Sequence, residues 1–276
     1  MAMNKYTITI KPTSGWKFIN VKEIIRYKDL LYFLVVRGIK AKYAQSVLGI
    51  GWAVIQPLVS TLIFTIVFGK LAKINSEGVP YFIFSLTALV PWTYFSNTLT
   101  ESANSLVSNS NLITKVYFPR MVLPLSAAFG KLLDFGIAFL LLIIILFVYG
   151  FGVSWLIVTL PILLLILLLT SLGLGMWLAA MAVQYRDVKH ALTFLVQLLM
   201  YMAPVVYPTS IVQARFQFWY SLNPMVGVIE GFRAVFLHHQ PMPWNFIGTG
   251  AVVSVLLFIS GAFYFRKMEK NFADVA

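Results

Sequence analysis

The chain has 276 residues, of which 60% are hydrophobic and only 11% charged, with no cysteine and a formal net charge of +12. A soluble domain runs roughly 45–50% apolar and about 25% charged, so a water-soluble surface cannot be built from this composition. The missing cysteine excludes disulfides and thiolate metal sites. Several stretches reach the about 20 apolar residues that a helix needs to cross a bilayer, and the chain reads as an all-α integral membrane protein with about six spans.

Residues Met1 to Asn20 are mixed and polar, without a long apolar core or a small-residue cleavage pattern, so no signal peptide is read there. From Val21 to Val36 the charges Lys22, Glu23, Arg26, Lys28 and Asp29 alternate with apolar residues, and a short apolar run ends in Arg37, Lys40 and Lys42. That run is too short to span and is flanked by bases, as in an amphipathic helix lying in the membrane interface; an ordinary helix packed on a partner is the alternative. Span one covers roughly Gly51 to Phe68 and ends at the polar loop Lys70 to Gly78. It forms a hairpin with span two, about Val79 to Ser96, which Pro91 interrupts. The longest polar stretch between spans, Thr98 to Arg120, follows.

The run from Met121 to Val183 is too long for one helix. A break at Tyr149 to Ser154, where Gly150 and Gly152 permit a tight turn, gives spans three and four. Pro161 then sits near the start of span four, where a helix tolerates it. A short basic loop, Gln184 to His190, leads to span five, about Ala191 to Val206, stopped by Pro204 and Pro208. Residues Thr209 to Trp244 mix Phe216, Phe218, Pro224 and Phe236 with Arg215, Glu230 and Arg233. Such a segment suits short re-entrant or interfacial helices on the outer side, since irregular backbone at membrane depth needs protein or water to satisfy it. Span six is about Phe246 to Phe265, and a basic tail with Arg266, Lys267 and Lys270 closes the chain. No low-complexity tract and no convincing internal repeat is seen.

Charge gives the orientation. With a cytoplasmic N-terminus and alternating spans, only Lys70, Lys73, Arg215 and Arg233 of the 21 Lys/Arg lie outside, which satisfies the positive-inside rule. Both termini then face the cytoplasm and the aromatic region before span six faces outward. Topology accounts for the +12, and a nucleic-acid partner is unnecessary.

Groups suited to chemistry are scarce. Of nine acidic residues, only Glu101, Asp134 and Glu230 fall outside the polar flanks and loops. Asp134 follows Lys131 by three positions and Glu230 precedes Arg233 by three, spacings that permit ion pairs on one helix face, and structural pairing is the favoured reading. His238 and His239 are adjacent and point two ways, so no metal site is assigned. No phosphate-cradling Gly-x4-Gly-Lys-Ser/Thr loop occurs: at Gly130-Lys131, Leu125 stands upstream and Leu132 follows. The chain therefore carries no ATPase site of that type and no cofactor is assigned to it; an energy source must come from a partner. A secondary transporter would carry ionisable groups at mid-membrane, and spans one, two, four, five and six lack them; a passively gated channel remains open.

Two stretches carry a resemblance. The first is Arg37-Gly-Ile-Lys40-Ala-Lys-Tyr43-Ala-Gln-Ser46-Val-Leu48-Gly49-Ile-Gly-Trp52 with Gln56-Pro57; the second is Asn111-Leu-Ile-Thr-Lys115-Val-Tyr117-Phe118-Pro119-Arg120 with Leu123-Pro124. Tyr185-Arg186-Asp187-Val188, Asn223-Pro224 and Lys267-Met-Glu-Lys270 support them. Together they resemble the permeases of type-2 ABC exporters for O-antigen, capsule and teichoic-acid polymers, over nearly the whole chain. Gly38 stands where an acid is expected and Ala44 where a polar or basic residue is expected, which puts local salt bridges of the interfacial helix in doubt.

The resemblance implies one permease domain over residues 1–276, with an N-terminal cytoplasmic segment and interfacial helix in 1–49, a six-span region in 50–265 and a cytoplasmic tail in 266–276. It implies a homodimer in the bacterial cytoplasmic (inner) membrane, two ATP-binding cassette subunits that hold ATP and Mg, and a lipid-linked polysaccharide moved between the permeases among membrane lipids. By carry-over, Tyr27, Arg37, Lys40 and Tyr43 form an interfacial gate, and Asn111, Lys115, Tyr117, Phe118 and Arg120 couple to the ATPase. The chain is 16% aromatic, and Trp52, Trp92, Tyr94, Phe95, Tyr201, Tyr207, Trp219 and Tyr220 gather toward span ends. Their faces can stack on the C–H faces of sugars and hold a sliding polymer without trapping it; an aromatic belt at headgroup level is the ordinary alternative. Rival readings are a similar permease for a small drug or lipid, and a membrane enzyme using Glu101, Asp134 or Glu230 on lipid-linked sugar.

Overall fold

Within a bilayer no water is at hand to bond the backbone, and a helix satisfies its own N–H and C=O groups within one segment. The computed structural model describes residues 21–44, 46–152, 154–185, 187–238, 241–269 and 272, and among these the regular elements are all helical. The expectations for Met1–Asn20, Arg186, His239 and Lys270 fall outside the described residues.

Helices α1 (Val21–Arg26) and α2 (Lys28–Tyr43) are separated at Tyr27, where φ of −98° and ψ of 23° interrupt the helix. Helix α2 lies along α6 and buries Leu34, while Tyr32 and Phe33 stay exposed among its bases. Helix α3 (Trp52–Phe64) contains Pro57 and runs on through a wider turn over Thr65–Leu71. Helix α4 (Tyr81–Ser108) is followed by the short α5 (Ser110–Lys115), an extended connection through Pro119, and α6 (Val122–Val148). The expected break after α6 is present, with Gly150 at φ +78°, a backbone that an L side chain rarely adopts. After it come α7 (Leu160–Gln184), α8 (Asp187–Tyr201), α9 (Ala214–Ser221), α10 (Pro224–Leu237) and α11 (Trp244–Met268).

The bundle is organised around α7, which packs mainly against α11 and α4. The α7–α11 crossing is close because Gly173 and Gly261 meet there: a Cβ on Gly173 would lie 2.6 Å from the backbone nitrogen of Phe258. Small residues at such a crossing let backbones approach, the usual device where lipid removes the hydrophobic drive between helices. Beside it, the rings of Trp177 and Tyr264 stack at 4.2 Å and Trp177 Nε1 donates to Ser260 Oγ at 3.2 Å. A large apolar cluster fills the space between α4, α6, α7 and α10. A second cluster, with Leu34, Ile113, Phe118, Phe265 and Phe272, lies where α2, α5 and the end of α11 converge, which we call the basic end.

Among the described residues, four segments are long and apolar enough to cross a membrane: Gly49–Leu71, Val122–Val148, Trp155–Gln184 and Trp244–Met268. They correspond to expected spans one, three, four and six. The other two expected spans do not meet that measure. Helix α4 has 28 residues, but Ser, Thr and Asn dilute its apolarity. It also continues to Ser108, so the polar stretch expected between spans from Thr98 is largely helix. Its hydroxyls and amides bond back to its own carbonyls, as from Thr100 to Ser96 at 2.8 Å and Asn104 to Thr100 at 2.9 Å. Helix α8 has 15 residues and starts at Asp187 rather than Ala191. It stops at Tyr201 because Pro204 has no N–H to give and its ring collides with the carbonyl of residue 200. The mixed region before α11 folds, as expected, into short helices, α9 and α10, and every residue of α10 is buried.

Candidate functional site

At the basic end a network of charges ties the N-terminal helices to the spans. Lys42 Nζ of α2 lies 2.5 Å from Asp134 Oδ2 in α6, and Tyr43 donates its hydroxyl to Asp134 Oδ1. Lys131, one turn before Asp134, lies 3.8 Å from Oδ2 and pairs more closely with Glu101 of α4. Burial pushes the Tyr43 phenol above its ordinary range, and the hydrogen bond to Asp134 adds to the shift, so Tyr43 remains a donor. Beside this network opens a cleft of 440 Å³ between α2, α4 and α6, lined by Arg37, Asn104, Ser105 and Asn109 among others. Sequence spacing identified the Lys131–Asp134 pair. It did not pair Lys42 with Asp134 or Glu101 with Lys131, because no local signal links positions in different helices.

Of the four residues read as an interfacial gate, Tyr27 and Tyr43 lie at opposite ends of α2. Tyr43 is anchored to α6, and Tyr27 sits half-buried against the second cluster. Arg37 and Lys40 are exposed on α2.

The residues read as coupling to a partner divide in the same way. Asn111 and Lys115 are exposed on α5, and Tyr117 projects from the extended connection. Phe118 turns inward to the second cluster and fixes the connection from below. Arg120 is held by the tail: its backbone N–H donates to Glu269 Oε1 at 3.1 Å, and Nη1 donates to the Glu269 carbonyl at 3.2 Å. Partial burial, then the carboxylates of Glu23 and Glu269, raise the pKa of Tyr117. Sequence reading placed Glu269 in a polar flank and gave it no role.

The aromatic residues do not form one set. Trp92, Tyr94 and Phe95, expected beside a path, belong to the interior of the protomer. Trp92 packs on Phe95 at 5.3 Å, and Tyr94 packs on Phe135 at 5.5 Å and donates to the Ala128 carbonyl at 3.2 Å. Of the other five, three are exposed and Tyr207 and Tyr220 are half-buried. Trp52 is exposed at the start of α3, and Trp219 and Tyr201 are exposed at the opposite end. There Tyr220 donates to Tyr207 Oη at 3.2 Å, and Tyr207 donates to the Tyr201 carbonyl at 2.8 Å. At that end Arg233 Nη1 pairs with Glu230 at 2.7 Å, as the spacing suggested, and both are buried. Arg233 also reaches the carbonyls of Val205 at 3.3 Å and Tyr207 at 3.4 Å. Its guanidinium lies 3.6 Å over the Phe84 ring, so the pair fastens α10 to α4 and to the unwound chain after α8. His238 faces the Gly152 carbonyl at 2.8 Å, and among the described residues no group of three His, Asp or Glu is placed to hold a metal.

The sequence profile of the family described as ABC-2 type transporter matches residues 29–237, from the start of α2 to the end of α10. The O-antigen export system permease protein RfbA of Myxococcus xanthus is 32% identical over 257 residues, covering 92% of this chain and 98% of the relative. Two proteins of the same name from Klebsiella pneumoniae are 26% and 27% identical over 249 residues, 90% of this chain and 95% of each relative.

Proposed function

The chain belongs to the ABC-2 type transporter family, and on that premise we propose that it is the transmembrane subunit of an ATP-driven exporter of lipid-linked polysaccharide. The similarity to O-antigen export permeases, nearly end to end, carries this reading. The permease works as a homodimer in the bacterial cytoplasmic membrane with two ATP-hydrolysing subunits, which hold ATP and Mg; this chain holds no cofactor.

The basic end faces the cytoplasm with both termini, and six helices cross: α3 with its following turn, α4, α6, α7, α8 with the unwound chain after it, and α11. Helix α4 supports this count despite its polar residues, because 28 residues at 1.5 Å rise give about 42 Å, more than the hydrocarbon core. Helices α9 and α10 dip into the outer leaflet without crossing. Helix α2, carrying Arg37 and Lys40 and anchored through Tyr43, guards the cytoplasmic entrance and swings at Tyr27. The exposed face of α5 with Asn111 and Lys115, and the connection with Tyr117, Phe118 and Arg120, dock on the ATPase. The glycan passes the rings of Trp52, Tyr201, Tyr207, Trp219 and Tyr220, whose faces hold sugars without sequence preference.

The test is deletion of the gene, with surface polymer and intracellular lipid-linked glycan both measured. Loss of surface polymer with glycan accumulating inside is expected. Unchanged surface polymer would overturn the reading and favour a small drug or lipid as cargo.

A further inference from the structure

Three pieces of chain that are remote in sequence are linked at the basic end through Glu269 and Arg266. Glu269, just past α11, takes the Arg120 backbone N–H on Oε1 and Arg266 Nη1 on Oε2, the latter at 2.9 Å. The second terminal nitrogen of Arg266, Nη2, lies 4.0 Å from Glu23 Oε2 in α1. A chain of contacts therefore runs from the Arg120 main chain through the Glu269 carboxylate and the Arg266 guanidinium to Glu23. The same elements share the second apolar cluster, where Phe118 of the connection and Phe265 of α11 are buried and Ile24 of α1 and Tyr27 pack against them.

Two features suit this arrangement to passing on movement rather than only stabilising a surface. Glu269 grips the main chain of the connection at Arg120, so a shift of the connection carries the carboxylate with it whatever the Arg120 side chain does. At the far end, α1 has six residues and is separated from α2 by the interruption at Tyr27, so a pull on Glu23 can tilt α1 without unwinding α2. The links are partly shielded from water, with side-chain exposures of 20% for Arg266, 24% for Glu23 and 12% for Glu269, where ion pairs are screened less than on an open surface.

We infer that Glu269 is a positioning residue that relays displacement of the Val116–Arg120 connection to the interfacial helices α1 and α2, keeping the cytoplasmic entrance in step with the ATPase. This rests on the proposed docking role of the connection.

The experiment compares wild type, Glu269→Ala, Glu269→Gln and Lys267→Ala as the full permease with its ATPase subunit, recording co-purification of the ATPase, ATP hydrolysis and glycan exported per ATP. Glu269→Ala is expected to retain the ATPase subunit and to hydrolyse ATP within twofold of wild type, while export per ATP falls at least tenfold. Glu269→Gln keeps the volume and an acceptor for the Arg120 N–H, and recovers part of the export. Lys267→Ala, altering an exposed neighbour outside the ladder, matches wild type. Unchanged export per ATP in Glu269→Ala overturns the relay, as does hydrolysis falling in step with export. Should Glu269→Ala fail to assemble, Glu269→Gln decides by the same ratio. A wild-type complex that hydrolyses ATP but moves no glycan would instead sink the export reading.

Discussion

Lys42 in α2 and Asp134 in α6 are separated by 92 positions in sequence and by 2.5 Å in the fold. Asp134 also receives the Tyr43 hydroxyl and lies near the charge of Lys131, so it has three partners, whereas Lys42 is 38% exposed and has water as an alternative. The two ends of the contact should therefore differ in worth. Lys42→Ala is expected to cost about 0.5 kcal/mol. Asp134→Ala leaves the buried Lys131 with one acid fewer and Tyr43 without an acceptor, at about 2–4 kcal/mol. Thermal unfolding of the solubilised protein checks this; equal losses for the two variants would contradict it.

The Tyr43 phenol gives a pH signature. Its pKa is raised above the ordinary tyrosine value of about 10, first by burial and then by its hydrogen bond to Asp134. A raised folded-state pKa contributes stability that is fully present below the unfolded value and is lost as pH rises above it. Between pH 9 and 11 wild type should therefore lose more thermal stability than Tyr43→Phe, which has no phenol to titrate. Identical slopes for the two proteins would refute the assignment.

The buried Glu230–Arg233 pair should behave asymmetrically on mutation. Removing either partner leaves an uncompensated charge, at a cost of about 3–5 kcal/mol, whereas replacing both with apolar residues of similar volume is near neutral. Glu230→Leu and Arg233→Met are each expected to reduce folded yield sharply, and the double variant to recover most of it. Yield is read by size-exclusion profile; additive losses in the double variant would contradict this.

The α7–α11 crossing and α2 respond oppositely to an added side chain. Gly173→Leu must push apart backbones already in contact, so loss of the monodisperse folded form is expected. An added Cβ at Gly38 meets nothing within 4 Å, so Gly38→Ala should stabilise α2 by about 1 kcal/mol. A folded Gly173→Leu protein would show that the crossing is looser than described.

What could be read beforehand was local. The bilayer-length apolar runs, the turn at Gly150 and the two pairs spaced by three residues are set by nearest neighbours in sequence. The length of α4 is hidden in the sequence because Thr100, Asn104 and Asn109 look like loop residues, yet each side chain bonds the carbonyl four residues before it. The contacts from Lys42 to Asp134 and from Arg120 to Glu269 join helices whose rotation is set by packing, which an almost uniformly apolar pattern does not encode. For the same reason the burial of Trp92, Tyr94 and Phe95 was not legible.

The most direct measurement places the purified permease with its ATPase subunit in liposomes, supplies lipid-linked glycan labelled on the sugar, and follows protection of the label from an added glycosidase. Glycan should become protected only with hydrolysable ATP, and not when Lys115 and Tyr117 at the docking surface are both changed to Ala. Steady ATP hydrolysis with the glycan left fully accessible, while a small lipid probe crosses, would contradict the account.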